Sequence, residues 1–179
     1  VRKIRIHCVF DGRDVSPQSE PKYIERIENF CKKFPDADFR IASGAGRMVA
    51  TADRYENDWN MVKLGWDMMV HGKAPREFKS ASEAIRIFRQ EDQYLPAFVV
   101  VENSAANSAL STRAEVAKDS AAALKRGAQP VGVVRDGDAF IYYDFRADRA
   151  VEIATAFTQG DFDKFERGKL PDIFFAGLT

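Results

Sequence analysis

Histidine and cysteine are nearly missing from this chain, with two of each in 179 residues. His7 and His71 form no ligand cluster with other residues, and Cys8 and Cys31 lack metal-type spacing, so no metal site is assigned to the sequence. Both histidines are expected to be structural or superficial. The two thiols sit in apolar-patterned segments, which suits reduced cysteines in a cytoplasmic protein rather than a disulfide framework. An excess of charge of one sign is missing too: Lys plus Arg and Asp plus Glu each total 27. Without a long basic tract the electrostatic footprint of a nucleic-acid binder is lacking, and no nucleic-acid partner is expected. There is no apolar run of membrane-spanning length and no secretory leader pattern, so no membrane partner is expected either. Gly44-Ala45-Gly46 is too short for a phosphate-cradling P-loop or a dinucleotide fingerprint.

What the sequence does contain is core. Hydrophobic residues make up 45% and include fourteen Phe, enough for one compact domain over residues 1–179. Ile4, Ile6, Cys8 and Phe10 alternate with other residues up to Asp11-Gly12-Arg13-Asp14, the pattern of a strand ending in a turn. A helix is expected next, capped by Ser16 with Pro17 in its first turn, carrying Ile24, Ile27, Cys31 and Phe34 and stopped by Pro35. A strand over Phe39–Ser43 runs into a small-residue loop at 43–47. Trp59, Val62, Trp66 and Val70 mark a second helix with Gly72 as its C-terminal cap. Ser80 and Glu83 form a capping-box pattern for a third. Ala97–Val101 and Asp138–Asp144 read as strands, Arg149–Phe157 as a helix and Asp172–Ala176 as a last strand. Residues 103–129, rich in Ser and Ala, read as a surface insertion with one helix capped by Thr112 and Glu115. The expected fold class is α/β, a three-layer-like sandwich with a mostly parallel sheet flanked by helices.

Five arginines stand out by position. Arg13, Arg47, Arg54, Arg146 and Arg149 lie in or beside loops that follow expected strands, where open α/β sheets commonly bind ligands. Guanidinium forks match phosphate and carboxylate oxygens, so several converging on one point would hold a small polyanion in water. The competing reading is a set of solvated arginines with local ion pairs to Asp11, Asp53 or Asp148. Spacing alone leaves both open.

The segment Asp11-Gly12-Arg13-Asp14-Val15-Ser16-Pro17-Gln18-Ser19 resembles a motif of the cofactor-independent (2,3-bisphosphoglycerate-independent) phosphoglycerate mutases. Gly46-Arg47-Met48, Asp53-Arg54-Tyr55-Glu56-Asn57-Asp58-Trp59 and Gly65-Trp66 are similar to the plant and trypanosomatid branch, whose loop is one residue longer than the common bacterial form. Asp92-Gln93-Tyr94-Leu95-Pro96, Asp136-Gly137-Asp138-Ala139, Phe145-Arg146-Ala147-Asp148-Arg149, Phe162-Asp163-Lys164-Phe165 and Leu170-Pro171 keep the family's order to nearly the last residue. Only the 103–129 insertion fails to align.

That resemblance implies a substrate-binding half of a two-domain enzyme of glycolysis that interconverts 3-phosphoglycerate and 2-phosphoglycerate. It implies that a serine and two divalent metals, of the manganese, magnesium or cobalt type, lie in a phosphatase domain outside this chain. The chain itself would carry no cofactor and, alone, no turnover. By the same resemblance Asp14 would exchange protons with the substrate hydroxyls. Arg13, Arg47 and Arg54 would orient the glycerate and its carboxylate, and Arg146 and Arg149 would grip the phosphate, both removable without harm to the fold. Asp11 reads as a turn residue. The family's upstream glycine-rich segment, with a substrate-contacting histidine, and a downstream lysine are not in this sequence; Asp144 stands where the family usually has Asn, and Ala52 where it usually has Met. The alternative reading of the same arginines is a non-catalytic module that binds a phosphorylated metabolite.

Overall fold

The computed structural model describes residues 2–88, 92–102 and 128–178. The 103–129 insertion, with its expected helix, lies outside the described residues except for Ala128 and Gln129. In chain order the elements are β1 (Lys3–Phe10), α1 (Glu20–Cys31), β2 (Asp38–Gly46), α2 (Trp59–Trp66), β3 (Arg76–Phe78), α3 (Ala81–Phe88), β4 (Phe98–Glu102), β5 (Gln129–Pro130), β6 (Ala139–Tyr143), α4 (Val151–Thr158) and β7 (Phe174–Leu178). The main sheet has the order β1-β2-β4-β3, with β5 on β4, and β6 and β7 form a second, two-stranded sheet.

The main sheet is mixed, which corrects the expectation of a mostly parallel one. β1 runs parallel to β2 and β3 to β4, but β2 against β4 and β4 against β5 are antiparallel. The apolar run of β4 reports only that both of its faces are covered, a property that does not fix strand direction. Both faces are indeed covered. Phe98 and Val100 pack with Phe10 and Ile41 beneath Ile24 of α1 and Ile85 and Phe88 of α3. Val99 and Val101, on the opposite face by the two-residue period, pack with Ala45 and Met68. Burying each large apolar side chain of this kind contributes about 1.5–3 kcal/mol. A third cluster joins Val62 and Trp66 of α2 to Ile153, Ala156 and Phe157 of α4 and to Tyr142 of β6.

Three local departures from the expected elements have physical causes. Helix α1 starts at Glu20, not after Ser16, because a serine shortly followed by proline occurs twice, as Ser16-Pro17 and Ser19-Glu20-Pro21, and the second copy is used: Ser19 is the N-cap and proline occupies the first turn. Gln18 has φ 59°, and its N–H donates to Asp92 Oδ2 at 2.8 Å, which breaks the first copy. After Trp66 the second helix widens into a π turn over Asp67–His71, closed by Gly72 in the left-handed region as its glycine suggested. The short strands β3 and β5, of three and two residues, carry too little periodicity to be read from sequence. In α3 the Ser80 hydroxyl accepts from Glu83 N–H at 3.1 Å, and Glu83 returns an acceptor to Lys79 N–H at 3.0 Å.

The far end of α4 is fixed by a buried cation. Arg167 donates to the carbonyls of Ala156, Gln159 and Gly160, and its guanidinium lies 4.6 Å from the Phe162 ring centre. The last carbonyls of a helix have no partner of their own, so this side chain supplies the cap and holds α4 in place.

Candidate functional site

Parallel pairing of β1 with β2 decides where the site lies. Phe10 and Gly46 are register partners, so the Asp11–Asp14 turn after β1 and Arg47 after β2 leave the sheet side by side. Arg47 N–H donates to the Phe10 carbonyl at 2.8 Å across that junction. Because β4 is antiparallel to β2, the segment before it also reaches this end, and Gly46 N–H donates to the Leu95 carbonyl at 2.8 Å. Gly46 is required by that closeness: an added Cβ would stand 2.3 Å from the Gln93 carbonyl oxygen and 2.5 Å from Leu95 N. Gly46→Ala is therefore expected to destabilise the fold by about 1–3 kcal/mol. A thermal melt matching the wild type would contradict this packing.

Asp14 is the centre of the ion pairs. Arg146 binds it with a fork, Nε to Oδ2 at 2.6 Å and Nη2 to Oδ1 at 2.5 Å. Arg47 Nη1 reaches the same Oδ2 at 2.9 Å and Asp11 Oδ1 at 2.6 Å. Asp11 Oδ2 in turn accepts from Asp14 N–H at 3.0 Å, so Asp11 fixes the turn, as expected, and also holds Arg47. The hydrogen bond from Arg146, with that from Arg47 adding to it against some desolvation, holds the Asp14 carboxyl well below the usual carboxylate range. The same pairing with Asp14 pushes the Arg146 proton affinity further up.

The arginines divide into a buried base and an exposed rim. Arg47 and Arg149 are 4% and 6% exposed, while Arg54 and Arg146 are half-buried and Arg13 is exposed on the turn beside Asp14. Arg149 donates to the Ala52 carbonyl and faces Met48 Sδ at 3.8 Å. Arg54 donates to Asp148 Oδ2 at 3.2 Å. Burial first, then the neighbouring charges of Arg47 and Arg54, depress the proton affinity of Arg149. A guanidinium does not give up its proton in a protein, so Arg149 stays charged despite that depression. The buried Nε atoms of Arg47 and Arg149 have no acceptor among the described residues.

The burial of Arg149 corrects one sequence expectation. Removing Arg149 would strip the Ala52 carbonyl of its donor inside the protein, so this residue is not removable without harm to the fold. Asp144 has a role that Asn would share: its Oδ1 accepts from Arg146 N–H at 2.8 Å and shapes the turn that presents Arg146.

His7 and Cys8 contribute no chemistry here. His7 Nδ1 lies 2.7 Å from Ser43 Oγ, and burial, then Arg5, pushes the imidazole down to about 4, leaving it neutral at pH 7. Burial, then Glu28, pushes the Cys8 thiol up to about 12, far from a nucleophile. Among the described residues no group of three or more His, Cys, Asp or Glu is placed to hold a metal ion. Among the described residues, then, none forms a site for the divalent ions implied by the resemblance. No helix among the described residues is long and apolar enough to cross a membrane. A separate cavity of about 450 Å³, lined by Cys31, Phe34, Phe39, Ile41 and Val100 among others, contains none of the five arginines.

The sequence named Asp148 among the carboxylates that could pair with the arginines, though not with Arg54 in particular, and did not point to Glu152. Their spacing, four residues apart after Phe145-Arg146, was the available signal, since it places both on one side of a helical segment.

Comparison with known proteins shows which family the chain resembles. The family described as BPG-independent PGAM N-terminus matches residues 1–118 and 118–179. A 2,3-bisphosphoglycerate-independent phosphoglycerate mutase from Prunus dulcis is 44% identical over 99% of this chain and 33% of its own length. A protein of Leptospira interrogans named as a probable enzyme of the same kind is 43% identical over 99% of this chain and 29% of its own. A crystal structure of Leishmania mexicana phosphoglycerate mutase at low cobalt concentration superposes with a TM-score of 0.80 at 38% identity, covering 98% of this chain and 29% of that one. This chain thus spans a third or less of these relatives. It belongs to the N-terminal family of the 2,3-bisphosphoglycerate-independent phosphoglycerate mutases.

Proposed function

We propose that this chain is the substrate-holding domain, residues 1–179, of a cytoplasmic phosphoglycerate mutase that interconverts 3-phosphoglycerate and 2-phosphoglycerate through a phosphoserine. The observation that carries the reading is the gathering of Arg47, Arg54, Arg146 and Arg149 around Asp14 and Asp148. Arg146 and Arg149 grip the phosphate; Arg13, Arg47 and Arg54 orient the glycerate and its carboxylate. The serine and the divalent metals belong to the partner phosphatase domain, which would supply the phosphoryl-transfer chemistry. The names of the relatives favour this over a non-catalytic binding module.

The residues of this chain bind, orient and move a proton. Phosphoryl transfer is mostly positioning and neutralisation of charge, which arginines supply. Without an anion, Arg146 and Arg47 spend their charge on Asp14 and keep it a weak base. A bound phosphoglycerate competes for the same forks, draws Arg146 away and adds negative charge nearby. Both changes raise the proton affinity of Asp14, so it becomes a competent base when substrate is present.

Calorimetric titration of 3-phosphoglycerate into this chain tests the reading. Weak, saturable, salt-sensitive binding without turnover is expected, and absence of saturable binding at low salt would contradict it.

A further inference from the structure

Arg54 sits in a loop that bends against its own preferences. Thr51, Tyr55 and Glu56 have φ of 71°, 61° and 53°, a region that residues other than glycine seldom enter. Such a loop persists only where its surroundings over-determine it, and the surroundings here are two buried carboxyls. Glu152, near the start of α4 and 3% exposed, accepts the Glu56 N–H through Oε1 at 2.8 Å. Asp53, 4% exposed, accepts the Asp58 N–H at 2.6 Å. Asp148 and Arg149, a turn earlier, hold Arg54 and the Ala52 carbonyl. One face of the segment 148–152 therefore fastens the loop at three points.

The second oxygen of Glu152 shows how the pair is arranged. Oε2 is buried and meets no N–H donor among the described residues, and the Asp53 carboxyl is close enough to act on Glu152. Burial and a second carboxyl nearby both oppose a negative charge on Glu152. Burial first, then Asp53 and Glu56, raises the proton affinity of Glu152 in agreement with this. Other charges around the loop point elsewhere: Lys164 pairs with Glu56 Oε2 at 2.9 Å and Arg54 with Asp148.

We propose that Glu152 and Asp53 are positioning residues that, by tying the backbone of residues 52–58 to α4, set where the Arg54 guanidinium stands in the anion site. This rests on the reading of the site as a phosphoglycerate site. Neither carboxyl touches the substrate; both act through Arg54.

The test uses this chain, 3-phosphoglycerate and two substitutions of Glu152. Glu152→Gln keeps an acceptor for Glu56 N–H and places a donor towards Asp53, imitating the protonated acid. It is expected to keep wild-type affinity and wild-type exchange protection of the Glu56 amide. Glu152→Ala is expected to speed that exchange and weaken binding by about tenfold, the scale of one charge-assisted hydrogen bond. In an Arg54→Ala background the same substitution is expected to add no further loss, because its effect is carried by Arg54. An equal loss in both backgrounds, or faster exchange with affinity unchanged, overturns the proposal while leaving the functional reading intact. If Glu152→Ala does not fold, loss of affinity in a folded Glu152→Gln, or an unprotected Glu56 amide in the wild type, overturns it. Wild-type protein that does not bind 3-phosphoglycerate at all is recognisable before any variant is made, and it overturns both the functional reading and this inference.

Discussion

Arg146→Ala is expected to weaken 3-phosphoglycerate binding about a hundredfold, the scale of losing a two-pronged charge-assisted contact, while the melting temperature stays near that of the wild type. The side chain of Arg146 is 34% exposed and its bonds within the protein go to Asp14, which Arg47 continues to hold after the substitution. That separates it from Arg149, whose buried bond to the Ala52 carbonyl mixes folding with binding. Arg146→Lys should recover only part of the loss, since an ammonium keeps the charge but not the planar fork. Calorimetry beside a thermal melt checks both halves. Binding unchanged in a folded Arg146→Ala would move the phosphate grip to other residues.

The second large effect is expected from Asp14→Asn, and it divides turnover from affinity. Asparagine keeps one oxygen for the arginines but carries no charge, so Arg146 and Arg47 lose their internal competitor. Affinity of this chain for 3-phosphoglycerate should hold or tighten, whereas turnover of the full-length enzyme should fall by about 10²–10⁴-fold if Asp14 moves the hydroxyl proton. Equal losses in both would reduce Asp14 to an orienting group. The substitution has a pH signature as well. The folded-state proton affinity of Asp14 is depressed, so its pairing contributes stability above the ordinary carboxylate pKa of about 3.9 and loses it as pH falls towards the depressed value. Asp14→Asn should therefore show a shallower fall in stability below about pH 4, measurable by denaturant melts across acid pH.

Much of this was legible in the residues, and what was not has identifiable causes. Alternation in Ile4–Phe10 and the apolar stripe of Trp59–Val70 located β1 and α2 because long-range burial imposes those periods on sequence. Strand direction left no such trace: β4 is buried on both faces whether its neighbours run with it or against it. The five arginines could be chosen by their place after strands, but not sorted. Arg149 is buried and Arg146 only half-buried although they are three positions apart, since a helical turn begins between them at Ala147. That arginines would surround Asp14 and weaken it as a base could be expected from the sequence, but which ones do so depends on contacts 33 and 132 positions away. Glu152 was passed over because a lone carboxylate near a helix start reads as ordinary dipole chemistry. Only the strained loop against it gives it meaning.

The central claim is that one anion gathers these guanidinium groups by displacing Asp14. A crystal structure of this chain soaked with 3-phosphoglycerate tests it most directly. The account predicts the phosphate on Arg146 and Arg149, the carboxylate among Arg13, Arg47 and Arg54, and the Arg146 fork turned from Asp14 to the ligand. Ligand bound elsewhere, with both bonds of Arg146 to Asp14 still in place, would contradict it.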